Sequence, residues 1–261
     1  MGRALKGRRD KVLLSVKFGA MRDPAGGWSG YDARPAAAAN FLAYSLNRLG
    51  TDHVDIYRPS RVDGAVPIEE TVGAIAGFIE RGWVRYIGLS EAGADTIRRA
   101  AAVHPIADLQ IEYSLISRGP ERKIFPALRE TVTGLTAYGV LSRGLLTGSR
   151  PGAGDFRANM PRFKGDNFDA NRKLAAALQG IAAERDATAA QVAIAWVMAR
   201  EEFIVPVIGA RTRVQLRDAL GALELRLSPE DLTQIAGAVS ASEVAGTRYD
   251  ERQMQWLDSE K

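Results

Sequence analysis

Short apolar runs alternate with amphipathic stretches along most of the chain, a rhythm that reads as repeated strand-then-helix units. Runs at 12–18, 54–57, 84–90, 107–112, 134–138 and 203–208 predict six strands. Helices are expected over 34–49, from Pro67 to near Gly82, and over 94–103, 121–131, 171–185, 189–200 and 213–220, with a last one opening at Ser228. In the first of these, Phe41, Leu42, Leu46 and Leu49 fall at helical spacing, and Gly50 stands where a C-terminal cap glycine belongs. Pro67, with Glu69 and Glu70 behind it, suits a first helical turn; Thr188 and Ser228-Pro229 carry N-cap chemistry. The pattern predicts one parallel α/β domain over 1–261, since no linker interrupts it. A closed (β/α)8 barrel needs eight such units, and six are visible.

The polar residues within these runs carry the chemistry. Strands buried on both faces read as continuous apolar runs, so a polar side chain near a strand's C-terminus is a candidate for lining a ligand site. Lys17, Ser60, Ser90, Gln110, Tyr138 and the turn Gly209-Ala210-Arg211-Thr212 all fall at such ends. If the strands are parallel neighbours, these residues share one rim. A glycine, an arginine and a hydroxyl ahead of a helix can bind phosphate through backbone N–H groups, with Arg211 pairing to an oxygen. Taken alone, the same turn reads better as an ordinary helix cap. Lys17 interrupts an apolar strand and therefore needs a carboxylate partner, a place at a pocket mouth, or a route for its ammonium to solvent. The glycine-bearing stretch 138–148 reads as a loop built for close backbone approach. Residues 149–168 form a polar excursion, mobile or a lid.

Composition narrows the classes. With no cysteine there is no disulfide, thiolate metal site or cysteine nucleophile, and two histidines make a multi-His metal site unlikely on chemistry alone. The formal charge of +4 is spread among acids, without the basic stripe and interleaved aromatics of a nucleic-acid binder. No apolar run reaches membrane-spanning length and the N-terminus lacks signal-peptide character, so a soluble cytoplasmic protein is expected.

Several strings together resemble the aldo-keto reductases. They are residues 2–19, 45–57 (Ser-Leu-Asn-Arg-Leu-Gly-Thr-Asp-His-Val-Asp-Ile-Tyr), 66–73, 87–90 (Ile-Gly-Leu-Ser), 110–115 (Gln-Ile-Glu-Tyr-Ser-Leu), 137–148 (Ala-Tyr-Gly-Val-Leu-Ser-Arg-Gly-Leu-Leu-Thr-Gly) and 207–212 (Val-Ile-Gly-Ala-Arg-Thr). The likeness runs in order over nearly the whole chain. It implies an eight-stranded (β/α) barrel that transfers hydride from NADPH to aldehydes and ketones. It makes Lys17 the catalytic lysine, and Ser90 and Gln110 partners of the nicotinamide carboxamide. Tyr138 becomes the ring stacked on the nicotinamide. Gly139, Leu141 and Arg143 fall in the pyrophosphate-covering loop. Gly209, Arg211, Thr212 and Gln215 match the segment that holds the adenosine 2′-phosphate and adenine, and an arginine there favours NADP. Trp28, Ser60 and the tail 244–261 would face the substrate.

The likeness also has gaps. The family's aspartate and proton-donating tyrosine precede the lysine, and no counterpart lies in these residues; a start two units into the barrel accounts for that and for the strand count. Ser60 takes the place of the usual histidine, and Glu91 and Ala219 replace amides common in the family. The expectation is an impaired NADPH-dependent carbonyl reductase, with self-association through an incomplete barrel. A non-catalytic NADP-binding subunit is the alternative.

Overall fold

Wherever an apolar run is followed by an amphipathic helix, the chain builds a parallel strand. The computed structural model describes residues 1–261, which divide into two compact units: 1–110, 122–134 and 257–261 in one, 111–121 and 135–256 in the other.

In chain order the first unit holds helix α1 (Gly2–Leu5), strands β1 (Ser15–Phe18), β2 (Ala20–Arg22) and β3 (Trp28–Tyr31), then α2 (Pro35–Leu49), β4 (Val54–Pro59), α3 (Ile68–Glu80), β5 (Val84–Ser90) and α4 (Ala94–Val103). Most of β6 (Ile106–Glu112) and α5 (Pro120–Glu130) complete it. β1, β4, β5 and β6 pair in that order, all parallel. Val54, Tyr57, Ile87, Leu89 and Leu109 are buried on the strands, and Leu42, Val72, Ile75 and Ile97 are buried on the helices. The helix signals act locally as expected. Pro35 opens α2, and Gly50 closes it in the left-handed region (φ 66°), its N–H reaching the Leu46 and Asn47 carbonyls. Pro67 is the N-cap of α3 rather than a residue of its first turn.

Two expectations need correction here. The first strand starts at Ser15, not residue 12. Pairing begins with Ser15 opposite Ile56, and Val12 and Leu13 remain exposed. The glycine-bearing stretch after it is not simply a loop: β2 and β3 pair antiparallel, with Trp28 edge-on to Tyr31 at 4.8 Å.

The second unit contains β7 (Gly134–Tyr138) but for its first residue, then α6 (Gly165–Ala183), α7 (Ala189–Met198), β8 (Ile204–Pro206), α8 (Arg213–Gly221), α9 (Pro229–Ala238) and α10 (Glu251–Gln255). β7 and β8 are parallel. Thr188 and Ser228 cap α7 and α9 as expected, each accepting from the N3 backbone N–H while the N3 side chain returns the bond. α7 is apolar nearly all round and is buried accordingly, with Trp196 stacked against Tyr113 at 6.0 Å. β8 is shorter than expected; Val205 is exposed, and Pro206 has no N–H to extend the ladder. α6 begins at Gly165, ahead of the expected 171, so residues 165–170 belong to its first turns rather than to the excursion. The excursion itself contains two short helical turns, Phe156–Asn159 and Pro161–Phe163.

Asp55 on β4 shows what holds the first unit. It is fully buried, accepts from the Leu14 N–H at 2.7 Å, and pairs with Arg9 at 2.7 Å and Arg85 at 3.0 Å. Burial pushes its carboxyl pKa up, but the Leu14 N–H and the two arginines together hold it below the ordinary value of 3.8. A depressed carboxyl contributes stability above its unfolded pKa and loses it as pH falls through the folded one. Asp55→Ala should therefore cost about 1–3 kcal/mol in urea denaturation at pH 7, because it leaves the buried Leu14 N–H without its acceptor and takes the shared anion from Arg9 and Arg85. The difference between wild type and variant should shrink as pH drops below the carboxylate range; a difference independent of pH would contradict the assignment.

Candidate active site

Strand register brings several of the predicted site residues opposite one another or close by in the first unit. Lys17 lies opposite Arg58, Gly88 opposite Asp108, and Ser90 opposite Gln110. Arg58 is buried. Its guanidinium lies 2.9 Å from Asp108 and donates to Ser15 Oγ at 2.8 Å and to the Leu89 carbonyl at 3.3 Å. Gly88 leaves the room for this pair, since a Cβ there would sit 3.0 Å from Arg58 Cζ and 2.8 Å from Asp108 Oδ1.

Lys17 is exposed on β1. The protein packed around it, then Arg61 and Arg58, lower its pKa from 10.5 to about 8, against the opposing pull of Glu91 and Asp108. Ser60 follows β4, buried, its N–H on the Phe18 carbonyl at 2.8 Å and its own carbonyl accepting from Arg61 at 2.7 Å. Ser90 closes β5, and its buried hydroxyl oxygen makes no hydrogen bond. The neighbouring Gln110 is half-buried and accepts from the Glu91 N–H at 3.0 Å through its carbonyl. Glu91 occupies the left-handed region (φ 52°), and its carboxylate accepts from the Ser259 hydroxyl at 2.6 Å. Trp28 is partly exposed on β3.

In the second unit, Tyr138 ends β7 and the turn at 209–212 follows β8, its parallel neighbour. Tyr138 and Tyr249 share a hydroxyl–hydroxyl hydrogen bond of 3.1 Å. Gly139, Leu141 and Arg143 lie on a tight turn in which Gly139, Ser142 and Arg143 have φ of 68°, 47° and 56°. Two consecutive non-glycine residues in this region store strain. Arg143 donates to Glu112 at 3.1 Å.

Gly209, Arg211, Thr212 and Gln215 are exposed together at the start of α8. Here the expected bare phosphate-binding amides are corrected. Gln215 Oε1 accepts from the N–H groups of Arg211 (2.8 Å) and Thr212 (3.2 Å), and Thr212 Oγ accepts from the Gln215 N–H (3.2 Å). The turn is a capping box, which leaves the Arg211 guanidinium as its main handle for an anion.

Reading the chain by strand ends overlooks three groups: the Arg58–Asp108 pair, the Glu91–Ser259 contact and the arginines around Glu112. One signal was available. Asp108, Gln110 and Glu112 occupy every second position of β6, which puts them on one face.

Comparison with known proteins decides the family. The aldo/keto reductase family model matches residues 1–240. The chain belongs to the aldo/keto reductase family. Within it, this chain is 40% identical over 255 residues to probable aldo-keto reductase 1 of Glycine max, covering 95% of this chain and 73% of that one. It is 38% identical over 251 residues to an aldo-keto reductase of Schizosaccharomyces pombe whose name specifies NADP(+), covering 93% and 74%. Among solved structures it resembles a glycerol dehydrogenase from Gluconobacter oxydans (TM-score 0.84, 25% identity, 94% and 77% covered). It also resembles a thermostable aldo-keto reductase in complex with the inhibitor epalrestat (TM-score 0.72, 26% identity, 91% and 75% covered). The chain is thus an oxidoreductase with the α/β barrel fold of the aldo/keto reductases and a parallel sheet. No helix is long and apolar enough to cross a membrane.

Lys17 can be tested without turnover. Pulse acylation followed by mass spectrometry across pH should show Lys17 half-reactive near pH 8, well ahead of ordinary lysines, and Arg61→Met should move that midpoint upward. A wild-type midpoint near 10 would contradict the environment described.

Proposed function

We propose that this aldo/keto reductase binds NADP(H) and reduces small aldehydes or ketones to alcohols. The observation that carries the reading is Ser90: a buried hydroxyl without a hydrogen-bond partner, beside Gln110 at the end of a parallel strand. Buried hydroxyls are seldom left unsatisfied, and a carboxamide brings both a donor and an acceptor. Ser90 and Gln110 of the first unit hold the nicotinamide amide in this reading, and the family resemblance assigns Tyr138 of the second unit to its ring. The backbone of Gly139 and Leu141 and the side chain of Arg143 serve the pyrophosphate. Arg211, with Gly209, Thr212 and Gln215, serves the adenosine 2′-phosphate end, where a cation favours NADP over NAD. When bound, NADPH supplies the hydride.

The protein's own part is electrostatic. Lys17, as an ammonium, stabilises the negative charge that develops on a carbonyl oxygen. Trp28 offers an aromatic wall for the substrate, and Ser60 a hydroxyl where relatives usually place histidine. These residues contain no counterpart of the family's aspartate and proton-donating tyrosine, and loss of general-acid help costs roughly 10²–10⁴-fold in rate.

Two measurements test this. NADPH fluorescence titration should show binding that Arg211→Glu weakens at least about tenfold, from loss and reversal of a charge at the phosphate. Fusing the aspartate- and tyrosine-bearing segment of the soybean relative ahead of residue 1 should raise aldehyde-dependent NADPH oxidation by about 10²-fold or more. Equal activity with and without the segment would contradict the proposed acid. Binding without turnover in both would point to a non-catalytic nucleotide-binding subunit.

A further inference from the structure

Glu112 closes β6 almost without access to solvent, and three segments far apart in sequence each send it an arginine. Arg143, after β7, lies 3.1 Å from Oε2; Arg162, in the excursion, 3.5 Å from Oε1; and Arg248, in the tail, 3.8 Å from Oε2. The Ser117 hydroxyl donates to Oε1 at 2.9 Å. Gly139 is pressed against the same side chain, since a Cβ there would meet Glu112 Cγ at 3.0 Å.

These segments also hold one another. Arg157 of the excursion donates to the Arg143 carbonyl at 2.7 Å, pinning a residue of positive φ. Arg162 donates to the Ile116 carbonyl at 2.9 Å and to the tail's Gly246 carbonyl at 3.3 Å. Asn171 bridges the Arg162 and Ala245 carbonyls at 3.1 and 2.8 Å. The Tyr249 ring lies against Arg143, 4.9 Å from guanidinium to centroid, while its hydroxyl meets that of Tyr138.

We propose that Glu112 is a positioning residue whose buried charge locks the loop 138–144, the excursion 149–168 and the tail 244–256 into one cooperative unit. A carboxylate at that depth depends on every cation around it, so withdrawing one arginine weakens the hold on the others. The strained backbone at Ser142 and Arg143 persists only while its surroundings over-determine it. The loop's shape therefore depends on residues at the far end of the chain. Its value for binding cofactor rests on the function proposed above; the coupling itself does not.

Hydrogen-exchange mass spectrometry on the full chain tests the coupling. In Arg248→Met, exchange should quicken about tenfold or more in 138–148 and 149–168 as well as in the tail, with β4 and β5 unchanged. Arg248→Lys, which keeps the charge, should restore most of the protection. A change confined to the tail, or equal behaviour of the Met and Lys variants, would overturn the proposal. Glu112→Gln should reproduce the three-segment pattern, and if it does not fold, Arg162→Met takes its place with the same expected pattern and the same overturning result. NADPH titration of Arg248→Met separates the two claims. Weakened binding joins them, whereas unchanged binding with coupled exchange leaves the lock intact and removes the loop from the cofactor site.

Discussion

A carboxylate buried on a parallel strand is stable only if cations are brought to it, and this chain meets that demand three times with arginine. Asp55 draws Arg9 and Arg85, Asp108 takes Arg58, and Glu112 gathers Arg143, Arg162 and Arg248. Some of these pairings cross-link strands within the ladder, and others tie a strand to a segment the ladder does not fix. Arg9 brings in the chain ahead of β1, Arg58 joins β4 to β6, and the Glu112 arginines recruit a loop, an excursion and a tail. Buried ion pairs of this kind add little net stability over an apolar core, but removing one partner is expensive, so they specify position more than they stabilise.

That distinction bears on the chemistry. The strand ends deliver Lys17, Ser60, Ser90 and Gln110 by register alone. The electrostatic surroundings then give them different characters. Desolvation by the surrounding protein, then Arg61 and Arg58, lower the Lys17 pKa, while Ser90 is left with an unsatisfied hydroxyl. Both conditions fit the ligand roles proposed for these residues. The relatives covering most of this chain are aldo-keto reductases, consistent with that use.

Features governed by nearest neighbours in sequence could be read without coordinates. The Gly50 cap, the N-caps Thr188 and Ser228 and the strand Gly134–Tyr138 depend on a few adjacent residues. The β2–β3 hairpin escaped because its strands are three and four residues long and mostly exposed, so no burial pattern marks them. The arginines of Glu112 escaped for a different reason. Nothing local distinguishes Arg162 or Arg248 from the surface arginines around them; only the fold shows that they point at one carboxylate. Gln215 was assigned to a nucleotide by resemblance, yet in the structure its side chain completes a helix cap, a role that its spacing of three from Thr212 already implied.

The central question for this protein is whether its strand-end residues receive a dinucleotide. A crystal structure of the chain soaked with NADP(H) measures this most directly. It should place the nicotinamide carboxamide within hydrogen-bonding distance of Ser90 Oγ and the Gln110 side chain. A dinucleotide bound elsewhere, or one that leaves the Ser90 hydroxyl unpartnered, would contradict it.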